Sequence, residues 1–303
     1  MWSVGRGLRL WKRRSAVAII SALAAVLGPA AVGGAAVPGE NGRIAFDRYS
    51  NGSFFADIYS MKPDGSDLTK LTRRSPQNDD VQPAYSPDGK LIAWTRGDHI
   101  WLMKSDGSQK RRLTRTGNNT GVAFAPSGKK LIWTQGVNSH SYIKVMKTDG
   151  SDKRRLGVEG LDPAYSPDGR WIAYHRHGAV EDDIYTVFRN GESELNLTGS
   201  QAGNARHPDW SPDGQTIVYQ RAVSGSYDIY SMDQGGGSVL PIVQGTADQM
   251  NPVISPNGAQ IVFQNRASDS DFDLWTSGLT PSTPDQITFD PVGYDEFPAW
   301  QPR

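Results

Sequence analysis

Cysteine is absent from the 303-residue chain, which excludes a disulfide framework, a thiolate metal site, a cysteine nucleophile and an acylated cysteine at a cleavage point. Net charge is absent as well, since 32 Lys and Arg balance 32 Asp and Glu. That balance hides an asymmetry. Residues 1–36 carry Arg6, Arg9, Lys12, Arg13 and Arg14 and no acid, so the remainder holds 27 basic against 32 acidic residues, a net of −5. A mildly acidic body suits neither nucleic acid nor an anionic membrane as its main partner. No Gly-x-Ser-x-Gly elbow occurs, and no Gly-x-x-x-x-Gly-Lys-Ser/Thr or Gly-x-Gly-x-x-Gly loop, so serine-hydrolase and nucleotide chemistry have no support. Helix-periodic stretches are few. With 33 Gly and 19 Pro, the composition is that of a turn-rich, all-β protein.

What is present begins with a leader. A basic start ending at Lys12-Arg13-Arg14 runs into the apolar stretch Ser15–Leu27, then Gly28-Pro29, then small residues up to Ala36. This is the order of a secretory signal, expected to be cleaved after Ala36. The apolar core of 13 residues is short of the roughly 20 needed to span a bilayer. Membrane association is expected only if the leader stays attached. The folded part, residues 41–303, is expected outside the cytoplasm, secreted or in the periplasm or cell envelope.

That part is a repeat. Tyr85-Ser86-Pro87-Asp88-Gly89 recurs as Phe124-Ala125-Pro126-Ser127-Gly128, Tyr165-Ser166-Pro167-Asp168-Gly169, Trp210-Ser211-Pro212-Asp213-Gly214 and Ile254-Ser255-Pro256-Asn257-Gly258, at spacings of 39, 41, 45 and 44 residues. Each unit reads as four short strands, A to D, with hairpin turns at the Asp-Gly pairs, where positive φ is tolerated. The B strands, such as Ile172-Ala173-Tyr174 and Ile217-Val218-Tyr219, are continuously apolar, so both sheet faces must be covered. Four-stranded sheets covered on both faces and repeating every 39 to 45 residues describe a β-propeller. The body opens at Asn41 without an A strand, and Pro298–Pro302 supplies only an A strand. Joining the two completes a blade and closes a six-bladed ring. Closure removes the exposed sheet edges, so a monomer is expected.

These residues resemble the TolB-type, WD-like propeller repeat, whose marks are Ser-Pro-Asp-Gly, an apolar strand ending near Arg, and Asp-Ile-Tyr opening the third strand. Asp57-Ile58-Tyr59, Asp183-Ile184-Tyr185, Asp228-Ile229-Tyr230 and Asp273-Leu274-Trp275 fit the last mark, and the resemblance spans residues 41–303. It implies the fold, while the same repeat also builds propellers of peptidases and polysaccharide lyases. The α/β domain that precedes the propeller in TolB is not expected here, because about seven residues separate the expected cleavage site from the first strand.

Arg48, Arg96, Arg176, Arg221 and Arg266 close B strands, while Asp57, Asp98, Asp183, Asp228 and Asp273 open C strands, which predicts an Arg–Asp pair across each B–C hairpin. Asp88, Asp168 and Asp213 read as turn residues. The A–B and C–D turns fall on one face of the disc and the B–C and D–A loops on the other. None of the ten lysines after residue 40 falls in the second set, which instead gathers acids, including Asp79 and Glu181, and histidines, including His175 and His177. Gln82, Asp162, His207, Asn251 and Glu296, just ahead of the A strands, are expected to crowd the channel mouth, the default ligand site. From these residues we read an exported, non-catalytic scaffold that binds a protein or envelope partner through its acidic loop face. No catalytic residue, metal or cofactor is assigned. A second reading stays open: a metal-assisted carbohydrate-active enzyme, lyase or hydrolase, using His207, His175 and nearby carboxylates at the mouth.

Overall fold

The computed structural model describes residues 39–50, 55–73, 78–223, 225–268, 271–289 and 293–303; the expected leader lies outside them. Every regular element among the described residues is a β-strand. The chain opens with β1 (Asn41–Tyr49), β2 (Asp57–Met61) and β3 (Thr69–Lys70). Blade 2 comprises β4 (Asp80–Tyr85), β5 (Leu91–Arg96), β6 (His99–Lys104) and β7 (Arg111–Arg112). Blade 3 comprises β8 (Asn119–Phe124), β9 (Lys130–Val137), β10 (His140–Lys147) and β11 (Arg154–Glu159). Blade 4 comprises β12 (Leu161–Tyr165), β13 (Trp171–His177), β14 (Asp182–Phe188) and β15 (Leu195–Asn196). Blade 5 comprises β16 (Ala205–Trp210), β17 (Thr216–Val223), β18 (Ser226–Asp233) and β19 (Leu240–Val243). Blade 6 comprises β20 (Asp248–Ile254), β21 (Gln260–Ser268), β22 (Asp271–Gly278) and β23 (Asp285–Gln286), and β24 (Tyr294–Pro302) ends the chain.

The last strand is the inner strand of the first blade. β24 runs antiparallel to β1, placing Ile44 opposite Trp300 and Arg48 opposite Asp295. Six four-stranded blades result, and a single parallel bridge between Phe272 and Tyr294 ties blade 6 to blade 1. The expected closure is present. Gln301 reinforces it by accepting the Arg43 N–H at 3.1 Å and donating to the Gly89 carbonyl at 2.8 Å. Gly89 has φ +66°, and a Cβ there would meet the Pro302 carbonyl oxygen at 2.4 Å, so a side chain is excluded at this turn.

The continuous apolar runs of the B strands have a simple cause. In β5, Ile92 and Trp94 pack on blade 1, while Ala93 faces blade 3. The same large, small, large order recurs as Ile172, Ala173 and Tyr174 in β13. Each blade thus presents bulk to its predecessor and a flatter surface to its successor. Six buried clusters fill the six blade interfaces, including Ile44, Phe46, Met61, Val262, Leu274 and Trp300 between blades 6 and 1.

The repeat motif is turn chemistry. Ser86 Oγ donates to Asp88 Oδ1 at 2.6 Å and accepts the Leu91 N–H at 2.9 Å, while Asp88 Oδ1 accepts the Lys90 N–H at 3.2 Å. Ser166 with Asp168 and Ser211 with Asp213 repeat the arrangement. These aspartates are turn residues, as expected.

The Arg–Asp pairs expected across the B–C hairpins are replaced by others. Arg48 binds Asp295 and Arg96 binds Asp80 through two bonds each, at 2.5–2.6 Å, and Arg266 lies 3.7 Å from Asp248. All three acids lie on inner strands. In blades 1, 4 and 6 the C-strand acid is already held by a threonine just after the outer strand. Thr72, Thr198 and Thr288 donate to Asp57, Asp183 and Asp273 at 3.2, 2.8 and 3.0 Å, and each accepts the next residue's N–H at 2.9 Å. In blade 4, Arg176 turns to Glu194 at 3.0 Å.

Trp300 joins the last strand to the first blade's core at 5% exposure. Trp300→Ala is expected to lower stability by about 3–5 kcal/mol in urea unfolding, and removal of residues 298–303 to lower it further. An unchanged midpoint in both variants would contradict closure.

Candidate functional site

The channel wall is made by one irregularity repeated six times. Each inner strand carries a bulge in which two residues oppose one on the B strand. In β4, Gln82 and Pro83 are spanned by the register shift between Val81 and Ala84, opposite Trp94. The bulges of β8, β12, β16, β20 and β24 likewise lie opposite Trp133, Tyr174, Tyr219, Phe263 and Phe46. The first residue of every bulge is left-handed: Gln82 (φ 54°), Gly121 (58°), Asp162 (48°), His207 (51°), Asn251 (53°) and Phe297 (47°). Five of the six are non-glycine residues, each strained by on the order of 1–3 kcal/mol. Five are followed by proline, which has no N–H to lose from the broken ladder.

The bulge N–H groups find partners on the preceding blade. Asp47 Oδ1 accepts the Gln82 N–H at 3.0 Å, and Gln220 Oε1 accepts the Asn251 N–H at 2.8 Å. Gln82 Oε1 then accepts the Gly121 N–H at 3.0 Å. At Gly121 the glycine is required twice, by its φ and because a Cβ would stand 2.6 Å from Asp162 Oδ1.

Gln82, Asp162, His207 and Asn251 line a central cavity of about 140 Å³ together with Gly121, Asp209 and Phe297. They lie within the inner strands, at the bulges, rather than ahead of them. In blade 1 the ring position belongs to Phe297; Glu296 is one residue earlier and accepts a hydrogen bond from Gln264 Nε2 at 3.3 Å. His175 sits behind the mouth at 3% exposure, with Nδ1 at 3.5 Å from Asp162 Oδ2, and His207 Nδ1 is 3.2 Å from the same oxygen. The other three sequence candidates lie away from the cavity. His177 is exposed and meets Asp182 at 2.6 Å, Asp79 accepts the Ala56 N–H at 2.8 Å, and the Glu181 carbonyl accepts the Gly178 N–H in the loop of blade 4. His175, His207 and Asp162 do converge. Among the described residues, however, no group of three or more His, Asp or Glu side chains is arranged to hold a metal ion.

Burial dominates the electrostatics. It pushes His175 well below the usual imidazole value, with His207 and Arg206 adding to the effect. It raises Asp47 well above the usual carboxyl range, helped by Glu296. Asp209, unremarked in the repeat reading, is pushed up to about 6 by burial. Its signal was available in the repeat: the position two after the left-handed residue is Ala84, Ala123, Ala164, Val253 and Ala299 in the other blades.

Because Asp209 lies above its ordinary 3.8, the folded state holds a proton that the unfolded chain has already released. The stability it contributes is full below about pH 4 and lost as pH rises through about 6. Asp209→Asn is therefore expected to be the more stable protein at pH 8, by on the order of 1–3 kcal/mol, with the gain gone at pH 4. Urea unfolding at the two pH values measures this.

Residues 157–303 match the family model described as TolB beta propeller domain. A search of curated proteins finds no match. Among solved structures, TolB from Acinetobacter baumannii superposes with a TM-score of 0.75 at 23% identity, covering 86% of this chain and 67% of that one. A TolB-like structure from Agrobacterium tumefaciens gives 0.67 at 19%, covering 88% and 100%. A chain of a nidogen/laminin complex gives 0.69 at 13%, covering 85% and 98%. Repeat, ring and closure agree with these likenesses: the chain is a six-bladed β-propeller whose C-terminal half matches the TolB beta propeller domain.

Proposed function

We propose that this propeller is an exported, non-catalytic binding scaffold that captures a protein or envelope partner through the loop face around its channel mouth. One observation carries the reading. Six identically bent strands present six different side chains there, Gln82, Gly121, Asp162, His207, Asn251 and Phe297, whereas the opposite face keeps its Ser-Pro-Asp-Gly turns nearly unchanged. A uniform scaffold with non-uniform tips suits recognition, and backbone strain concentrates at such sites.

Charge supports the same face. Asp80, Asp248 and Asp295 are paired with arginine, so its acidity rests on Asp79, Asp162, Glu181 and Glu296, with no lysine in its loops. The likeness to a chain of a nidogen/laminin complex shows that a ring of this shape occurs in a protein–protein complex. The basic and apolar leader supports export.

Reversing Asp79, Asp162 and Glu181 to lysine is expected to reduce capture of the partner from an envelope fraction at least tenfold, with the circular dichroism spectrum retained. Undiminished capture by the folded variant would count against this face.

A further inference from the structure

The inner strand of blade 5 departs from the repeat in a way the loop-face reading does not use. Where five blades place alanine or valine, β16 places Asp209 on the wall of the central cavity. Its Oδ2 accepts the Ile254 N–H of β20 at 2.8 Å. A backbone amide is a partner that asparagine could serve equally well, so the amide alone does not call for a charge. Besides Gln82, Gly121, His207, Asn251 and Phe297, the cavity is walled by five prolines, Val122, Ala164 and Val253, with Asp162 as a second carboxylate and no lysine or arginine among the lining residues. Asp162 has His207 Nδ1 at 3.2 Å, whereas Asp209 faces the largely apolar wall with only backbone amides as partners, and two carboxylates there without a lysine or arginine are an incomplete electrostatic arrangement.

An independent feature beside Asp162 points the same way. His175, 3% exposed, has an Nδ1 without a hydrogen-bond partner, facing Asp162 Oδ2 from 3.5 Å. A donor entering the cavity meets Asp162, whose Oδ2 receives no hydrogen bond from the His175 Nδ1 behind it. Divalent metal fits poorly. Calcium takes six to eight oxygens, whereas the Gln82 side-chain oxygen is engaged by Thr120 and Gly121, and the Asn251 side-chain amide donates to Gln264 at 2.7 Å. An alkyl chain with one ammonium head fits both surfaces: methylenes against the prolines, three N–H donors for the carboxylates. Phe297, also among the lining residues, adds an aromatic ring of the kind that attracts cations.

We propose that the central channel binds a primary alkylammonium group, with Asp209 and Asp162 balancing its charge. The shared chemistry could come from a small free amine or from a lysyl side chain. The titratable groups facing the cavity are Asp162, Asp209 and His207, with His175 behind them. Asp209 carries its charge only above about pH 6, so binding should weaken in acid.

The test is calorimetric titration of the purified protein with n-butylammonium, with acetyl-Gly-Lys-Gly-amide, and with the uncharged isostere 1-butanol, at pH 7.5 and pH 5. At least one ammonium probe is expected to bind at pH 7.5, at least tenfold more weakly at pH 5, and the alcohol not at all. Tighter binding of the peptide assigns the group to a lysyl side chain, and tighter binding of butylammonium assigns it to a free amine; both support the site. Asp209→Asn keeps an acceptor for the Ile254 N–H and is expected to lose at least tenfold in affinity while keeping its near-UV spectrum. Equal binding of the alcohol, unchanged affinity in folded Asp209→Asn, or a calcium titration abolished by that substitution while neither ammonium probe gives heat, would each overturn the proposal.

Discussion

Pairing between the two ends of the chain is the constraint on which the ring depends. A single four-stranded blade buries neither of its faces by itself, and each interface cluster draws side chains from two blades. Were β24 not seated beside β1, the bulk of Ile44 and Phe46 would face a gap, and the sixth interface would lose Trp300. Closure therefore converts five local interfaces into a cycle in which every apolar run of every B strand is covered. The Arg48–Asp295 pair spans the same seam with both partners nearly buried, fixing the register of a strand that arrives 247 residues later in the chain.

The channel follows from that cycle. Six inner strands converge on one axis, and the large aromatic at the middle of each B strand occupies the place of two inner-strand residues. The extra residue is forced into the left-handed region, with its side chain at the cavity wall. Structural uniformity and chemical variety thus come from the same device. The aromatic and the proline hold the bend, and the residue between them is free to differ from blade to blade.

Much of this was legible from the residues alone. The Ser-Pro-Asp-Gly spacing located the turns because serine and aspartate satisfy the hairpin's own backbone groups, a local matter. Four of the mouth residues were found because they precede a proline at a constant offset from that turn. Phe297 was missed by one position although it too precedes a proline, because the charge of its neighbour Glu296 drew the assignment. The arginine partners were misassigned for a related reason. Arg48 stands opposite Asp57 on one side and Asp295 on the other, and only the donor set of the outer strand decides between them.

Local chemistry determined the blade count, the turns and the closing tail, because tight turns and apolar runs involve residues close in the chain. Tertiary structure alone decided which acids are neutralised by arginine, which carboxyls burial lifts, and that Asp162, Asp209, His175 and His207 gather at one cavity. Those properties depend on distances between separate blades and on the water excluded by the closed ring, neither of which is carried by neighbours in sequence.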